Sequence, residues 1–301
     1  MPTNIYLKNL TMPSKNLILN LILLCTLAFT SHRTLADTQL KTVAAPIRFL
    51  LTFDDGPSAA VKRNSTEKIL DTLAKNSTQP GIKAIFFVQT RAVRGGGTEL
   101  GRLLLKREQD EGHLLALHTA TPHHSNHRFL PQDRFELSLK NGTADLVEVS
   151  GVAPSLVRPP FWNYDARTLN EYHRNGLQML LTDLSANDGK IWGVNWSWRK
   201  YSNFQKQLEI VRKKWLEGNL PVVEGETPIV VTFHDVNRYT ANNIDVYLKI
   251  LLQVANELDL PLAKKAFYDN RGELERAAAA RVVIDPNDNS QLPGNWNWLW
   301  R

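Results

Sequence analysis

The sequence predicts an α/β chain folded as a TIM-like β/α barrel, and three observations predict it. Short apolar runs alternate with amphipathic stretches through most of the chain. About seven such β/α units can be counted, and strands apolar on both faces and separated by helices belong to a parallel sheet or barrel. The polar residues with chemical potential gather where the apolar runs end, and in a parallel barrel those ends converge on the face that carries the active site.

The elements follow in order. Ile47 to Phe53 (IRFLLTF) reads as a buried strand, and Thr66 to Lys75 has helical spacing. Ala84 to Val88 (AIFFV) is a strand, Leu100 to Glu111 a helix, and Leu114 to Leu117 a short strand. Pro131 to Val149 reads as a long helix with apolar Phe135, Leu137, Leu139 and Leu146. Ser155 to Val157 is a short strand, Ala166 to Asn175 a helix, and Met179 to Thr182 a strand. Asn203 to Leu216 is helical, Ile229 to Phe233 a strand, and Ile244 to Leu258 a long helix. The Trp-rich tail Leu292 to Arg301 differs in composition, and residues 266–301 are set apart as a C-terminal extension.

Composition narrows the class. With 43% hydrophobic and 22% charged residues over 301 positions, the chain is neither disordered, nor fibrous, nor a multi-span membrane protein. The formal charge is +6, without a Lys/Arg run of the kind that reads as a nucleic-acid surface, so no nucleic-acid partner is expected. Asn16 to Phe29 is almost wholly apolar but short for a membrane span; Lys15 precedes it and Thr34-Leu35-Ala36 follows. That order reads as a secretory signal over residues 1–36, with Met12 a tidier start than Met1. Residues 37–45 are then a linker. Loss of Lys8, Lys15 and Arg33 with the signal takes the charge from +6 to +3, and loss of Cys25 leaves no cysteine, which suits an oxidising compartment. An exported protein, periplasmic or secreted and without stable membrane insertion after cleavage, is expected. Export disfavours nucleotide-dependent chemistry.

Five strand ends carry polar residues: Asp54-Asp55-Gly56-Pro57, His118-Thr119 with His123, His124 and His127 behind it, Arg158-Pro159-Pro160-Phe161-Trp162, Asp183 with Asp188 soon after, and His234-Asp235. Each has a plain reading, since Asp-Asp-Gly-Pro is good turn composition and a His cluster can be a solvated loop. Their joint occurrence at strand ends argues otherwise. Of the eight histidines, five (His113, His118, His123, His124 and His127) lie in one short stretch. Two imidazoles and a carboxylate make a divalent-metal site with room for water.

These residues carry a family resemblance. Thr52-Phe53-Asp54-Asp55-Gly56-Pro57-Ser58 resembles the first motif of the polysaccharide deacetylases, the NodB-homology domain of carbohydrate esterase family 4. His118-Thr119 is similar to the start of the second motif, Arg158 to Trp162 to the third, and Thr232-Phe233-His234-Asp235 to the last. The resemblance covers residues 46–265, which are taken as the domain. It implies a distorted seven-stranded β/α barrel and hydrolysis of N- or O-acetyl groups on a polysaccharide or oligosaccharide of the cell wall or extracellular space. It further implies Asp54 as general base, Asp55 and His118 as ligands of one divalent ion with zinc the expected metal, Arg158 holding Asp54, and His234 as general acid tuned by an acidic residue. The backbone N–H of Phe161 would face the developing oxyanion.

Two departures from the pattern matter. The family's second histidine stands four residues after the first, where this chain has Pro122. Candidate second ligands are His124, which is favoured, then His127 and His123, within a loop longer by about two residues. The paired acids of the fourth motif are replaced by Asp183 and Asp188, with Asp183 preferred because it ends its strand. Pro160, Phe161, Trp162 and Trp192 are assigned to the substrate; Trp192, Trp196 and Trp198 crowd one segment, where they would either stack on sugar rings or pack as core. Two other functions remain open: a non-catalytic carbohydrate-binding relative, and a hydrolase of C–N bonds in cyclic amides.

Overall fold

The computed structural model describes residues 44–188 and 199–285. The signal-like segment with Cys25, the Trp192, Trp196 and Trp198 cluster and the Trp-rich tail lie outside the described residues.

Seven strands run parallel: β1 (Ile47–Asp54), β2 (Ile85–Gln89), β3 (Leu114–Thr119), β4 (Leu156–Val157), β5 (Gln178–Leu180), β6 (Leu184–Ser185) and β7 (Thr227–His234). They are hydrogen-bonded in the order β6-β7-β1-β2-β3-β4-β5. This is the expected seven-stranded barrel, and its distortion has a cause. No helix separates β5 from β6, and the two do not pair, so the ladder is open between them. Two further strands were not expected: β8 (Leu262–Phe267), parallel to β1, and β9 (Val282–Val283), antiparallel to β5.

Among the described residues, seven α-helices surround the sheet: α1 (Ser65–Ala74), α2 (Glu99–Asp110), α3 (Gln132–Ser150), α4 (Ala166–Arg174), α5 (Lys200–Leu216), α6 (Arg238–Glu257) and α7 (Arg271–Ala279). Their starts follow from short polar side chains that accept from free backbone N–H groups: Asn64, Thr98, Asp165, Asn237 and Asn270. Helix α3 stops at Gly151, which takes the left-handed conformation at φ 74°. Inside α3, Gly142 lies so close to β3 that a Cβ there would stand 2.3 Å from Leu117 Cδ1. Among the described residues, no helix is long and apolar enough to cross a membrane.

Strand β1 shows how alternation builds both cores. Phe49, Leu51 and Phe53 join the large cluster between sheet and helices, where Phe53 stacks on Phe86 and Phe233 at 5.1 and 5.6 Å. Leu50 points the other way, into a smaller cluster with Phe87, Ala116, Leu156, Leu180 and Val230. The inner face of β1 therefore reads Arg48, Leu50, Thr52, Asp54, apolar in the middle and polar at both mouths. At the N-terminal mouth, Arg48 pairs with Glu226, Asp269 and Glu273 at 2.8–3.0 Å and covers the Tyr268 ring.

The inner cluster also contains Leu274, Ala277 and Ala278 of α7. The domain boundary expected at 265 is thus corrected: it falls inside β8, and residues through 283 belong to the same sheet and core. These elements were hard to read because β8 carries Lys264 and Lys265 and α7 has only a narrow stripe of small apolar residues.

Asp183 is part of this structural work. Its carboxylate accepts from Val230 N–H at 2.9 Å and forms a buried ion pair with Arg281, just before β9. Removing one partner of such a pair leaves an uncompensated buried charge and costs about 3–5 kcal/mol. Arg281→Met should therefore lower the unfolding free energy by about that amount in urea denaturation. A change below about 1 kcal/mol, the range of surface pairs, would show that the contact contributes little.

Candidate active site

The register of the sheet assembles the site. Strands β1 and β7 pair along their whole length, with Asp54 opposite His234. Neighbouring strands stand about 4.8 Å apart, so the expected base and acid lie side by side at the same mouth. Strand β2 ends beside them in Gln89, and β3 delivers His118 and Thr119.

Asp55, His118 and His124 form a compact donor set. Asp55 Oδ1 lies 3.3 Å from His118 Nε2 and 3.5 Å from His124 Nε2, and the two imidazole nitrogens are 3.1 Å apart. Three donors on one tetrahedral ion with bonds of about 2.0–2.1 Å stand about 3.3 Å from one another, so the triangle fits a zinc-sized cation. Protonation fits as well. His118 Nδ1 lies 2.8 Å from the carbonyl oxygen of Arg158, which can only accept. Nδ1 therefore carries a proton, and Nε2 is the ring nitrogen that faces Asp55 and His124, the orientation a metal ligand needs. Burial is the main force lowering the pKa of His124, to about 4, which keeps the ring neutral. Burial alone would raise the Asp55 carboxyl, but His118, His124 and His234 together hold it well below the usual carboxylate range.

Arg158 is fully buried between the Phe87 and Trp162 rings, 4.1 and 5.0 Å from their centroids. Its Nη1 donates to Asp54 Oδ1 at 2.8 Å and to Thr52 Oγ1 at 2.7 Å. Its Nε and Nη2 donate to the carbonyls of Leu180 and Leu181. The planar guanidinium thus sets both the position and the orientation of the Asp54 carboxylate.

His234 meets Asp188, not Asp183. Its Nδ1 donates to Asp188 Oδ1 at 2.8 Å, and its backbone N–H donates to Asp188 Oδ2 at 2.9 Å. Asp188 is itself buried and is gripped by Thr240 Oγ1 and by Asn237 Nδ2 on its backbone oxygen. The expectation that leaned to Asp183 is corrected: that carboxylate bonds four residues upstream on β7, roughly 13 Å from His234 at the rise of a strand. Burial would lower the pKa of His234, but the Asp188 carboxylate outweighs it, with smaller help from Asp55 and Asp54, and raises it to about 10. The imidazolium therefore persists through neutral pH, with Nε2–H left over.

The remaining histidines part company. His127 is fully buried, with Nδ1 at 2.8 Å from Tyr172 Oη and Nε2 at 3.1 Å from Thr119 Oγ1. Burial, then His118 and His124, lower its pKa to about 3. Neither His127 nor the exposed His123 joins the donor set. Pro160, Phe161 and Trp162 form a short 3-10 turn after β4. Phe161, at φ 62°, is half exposed and stacks on the His124 ring at 4.3 Å and 16°. Trp192 lies outside the described residues.

Sequence reasoning missed several supporting groups. Gln89 Nε2 donates to Asp55 Oδ1 at 3.0 Å. Like the five polar strand ends, Gln89 is a polar residue closing an apolar run, so the same signal pointed to it. Thr52, Asn237 and Thr240 had no such signal, because a Thr inside a strand or an Asn before a helix has ordinary local uses.

The chain is similar to known deacetylases. The sequence profile of the polysaccharide deacetylases matches residues 43–180. Peptidoglycan-N-acetylglucosamine deacetylase PgdA of Listeria monocytogenes is 30% identical over 202 residues, which is 67% of this chain and 35% of that protein. A peptidoglycan-N-acetylglucosamine deacetylase of Bacillus cereus is 24% identical over 226 residues, 73% of each chain. The solved chitin deacetylase of Colletotrichum lindemuthianum shares the fold, with TM-score 0.54 and 20% identity over 73% of this chain and 85% of that one. Over the matched residues 43–180 the chain belongs to the polysaccharide deacetylase family. It spans about a third of the length of the Listeria relative.

Two measurements check the assignments. Metal analysis of zinc-exchanged protein should find about one zinc per chain in the wild type and in His127→Gln, and none in Asp55→Ala; a zinc-free His127→Gln that is still folded would move the second ligand to His127. In the metal-stripped protein, NMR titration should find His234 still protonated near pH 9, and Asp188→Asn should bring its pKa down towards about 6.5. An unshifted His234 in that variant would refute the role of Asp188.

Proposed function

We propose that the protein is a metal-dependent deacetylase that hydrolyses N- or O-acetyl groups of an extracellular polysaccharide, with peptidoglycan the first substrate to test. The observation that carries this reading is the Asp55–His118–His124 triangle beside Asp54 and His234 on paired strands. The similarity to peptidoglycan deacetylases supports the choice of substrate, and the signal-like residues 1–36 support export to the periplasm or beyond.

Asp55, His118 and His124 would hold one divalent ion, with zinc favoured by the N/N/O donor set. Such an ion polarises an acetyl carbonyl and lowers the pKa of water. The rest is work for the chain's own residues. Asp54, fixed by Arg158, accepts the proton of the attacking water. His234, kept protonated by Asp188, gives its Nε2 proton to the departing amine or alcohol. The Phe161 N–H serves the developing oxyanion, and the half-exposed Phe161 ring offers an apolar face to a sugar. Balance is kept: water supplies hydroxyl to the acetyl carbon and a proton, by way of the two side chains, to the leaving group.

The test is acetate release from peptidoglycan fragments and acetylated chito-oligosaccharides, with ring opening of a cyclic imide as the competing reaction, by zinc-loaded and metal-stripped protein. Acetate release by the loaded protein alone supports the proposal; imide opening alone would replace it; binding without turnover would make the protein a carbohydrate-binding relative. Asp54→Asn should lower kcat about 10²–10⁴-fold while zinc stays bound. Loss of zinc together with activity would mean that Asp54 is a ligand.

A further inference from the structure

Asp235 has no part in the reaction described above, yet it is fully buried and adjoins both halves of the site. It follows His234 at the end of β7, and its backbone N–H donates to Asp54 O at 3.3 Å. Its carboxylate turns towards the loop that leaves β1. Asp235 Oδ2 accepts from Thr66 Oγ1 at 2.7 Å, and the same hydroxyl oxygen accepts from Ser58 N–H at 2.9 Å. Thr66 belongs to the first turn of α1, so one carboxylate ties β7, α1 and the 55–58 turn together.

A second contact is steric. A Cβ added to Gly56 would stand 2.0 Å from Asp235 Oδ2 and 2.2 Å from Oδ1. The carboxylate fills the space that any other side chain at position 56 would need. Oδ1 makes no hydrogen bond among the described residues, so packing on Gly56 is its main local relation. From the opposite side, Gln89 N–H donates to Gly56 O at 2.8 Å, and Gln89 Nε2 reaches Asp55 Oδ1. Asp55 lies between these two grips at φ 74°. Asp adopts this left-handed conformation at less cost than most residues with a Cβ, and the contacts on both sides help to hold it there.

We infer that Asp235 is a positioning residue for Asp55: through Thr66 and Ser58, and by its packing on Gly56, it holds the 55–58 turn in the shape that presents Asp55 Oδ1 to His118 and His124. The inference rests on the reading of Asp55 as a metal ligand. Groups that orient a metal ligand from behind are worth about 10–100-fold in metal affinity when removed.

The test is calorimetric titration of zinc chloride into the metal-stripped full chain, in the wild type and in Thr66→Val, Thr66→Ser and Asp235→Ala, with circular dichroism and thermal unfolding on each. Thr66→Val removes both hydrogen bonds and keeps the side-chain shape, so it should fold and bind zinc about 10–100-fold more weakly. Thr66→Ser restores the hydroxyl and should restore affinity. Asp235→Ala should weaken binding at least as much, and adding Thr66→Val to it should weaken binding little further, because both act through one link. A folded Thr66→Val that is less heat-stable but binds zinc like the wild type would overturn the inference and leave the contact purely structural. If the wild type itself binds no zinc, the ligand reading of Asp55 falls, and this inference with it. Equal binding in all four proteins overturns only the role of Asp235.

Discussion

The buried guanidinium of Arg158 is the constraint on which the rest of the site depends. A charge wholly removed from water must be paired and hydrogen-bonded, and the chain meets that demand from three strands. Asp54 and Thr52 come from β1, the Leu180 and Leu181 carbonyls from the end of β5, and the Phe87 ring from β2. The backbone carbonyl of the same residue receives the His118 Nδ1 proton. One residue therefore fixes Asp54 by its side chain and His118 by its main chain. The distance between those two groups is bounded by the covalent frame of a single amino acid.

Much of this was legible in the sequence, for a definite reason. The inner strands are apolar on both faces, so a polar residue at a strand end stands out. Asp54, His118, Arg158 and His234 all did so, and the structure brings them to one mouth. The short or polar elements were not legible. Strand β6 has two residues, β8 carries two lysines, and α7 is alanine-rich. Each is defined by what it packs against and not by its own pattern. Asp183 misled for a related reason: ending a strand does not say which way the carboxylate turns, and here it turns to Arg281.

The lengthened second motif shows how a departure can be absorbed. His124 stands six positions after His118, where the resembled pattern has four, yet the Nε2 atoms come within 3.1 Å. The extra chain is anchored behind the site. His127 bridges Tyr172 on α4 and Thr119 at the end of β3, while Ser138 on α3 accepts the proton of Ala120 N–H. Phe161 then closes on the exposed side of the His124 ring. Sequence spacing alone left three histidines open because spacing does not register such anchoring.

The antiparallel strand β9 takes the place of a neighbour that the open ladder does not give to β5. The ladder is open between β5 and β6, so β5 would otherwise offer a row of unpaired backbone groups to any neighbouring molecule, the usual route to edge-to-edge association. The two residues of β9 occupy that row, and the buried pair of Arg281 with Asp183 pins them in place. A contact outside the candidate site thus covers the β5 edge of an unclosed barrel.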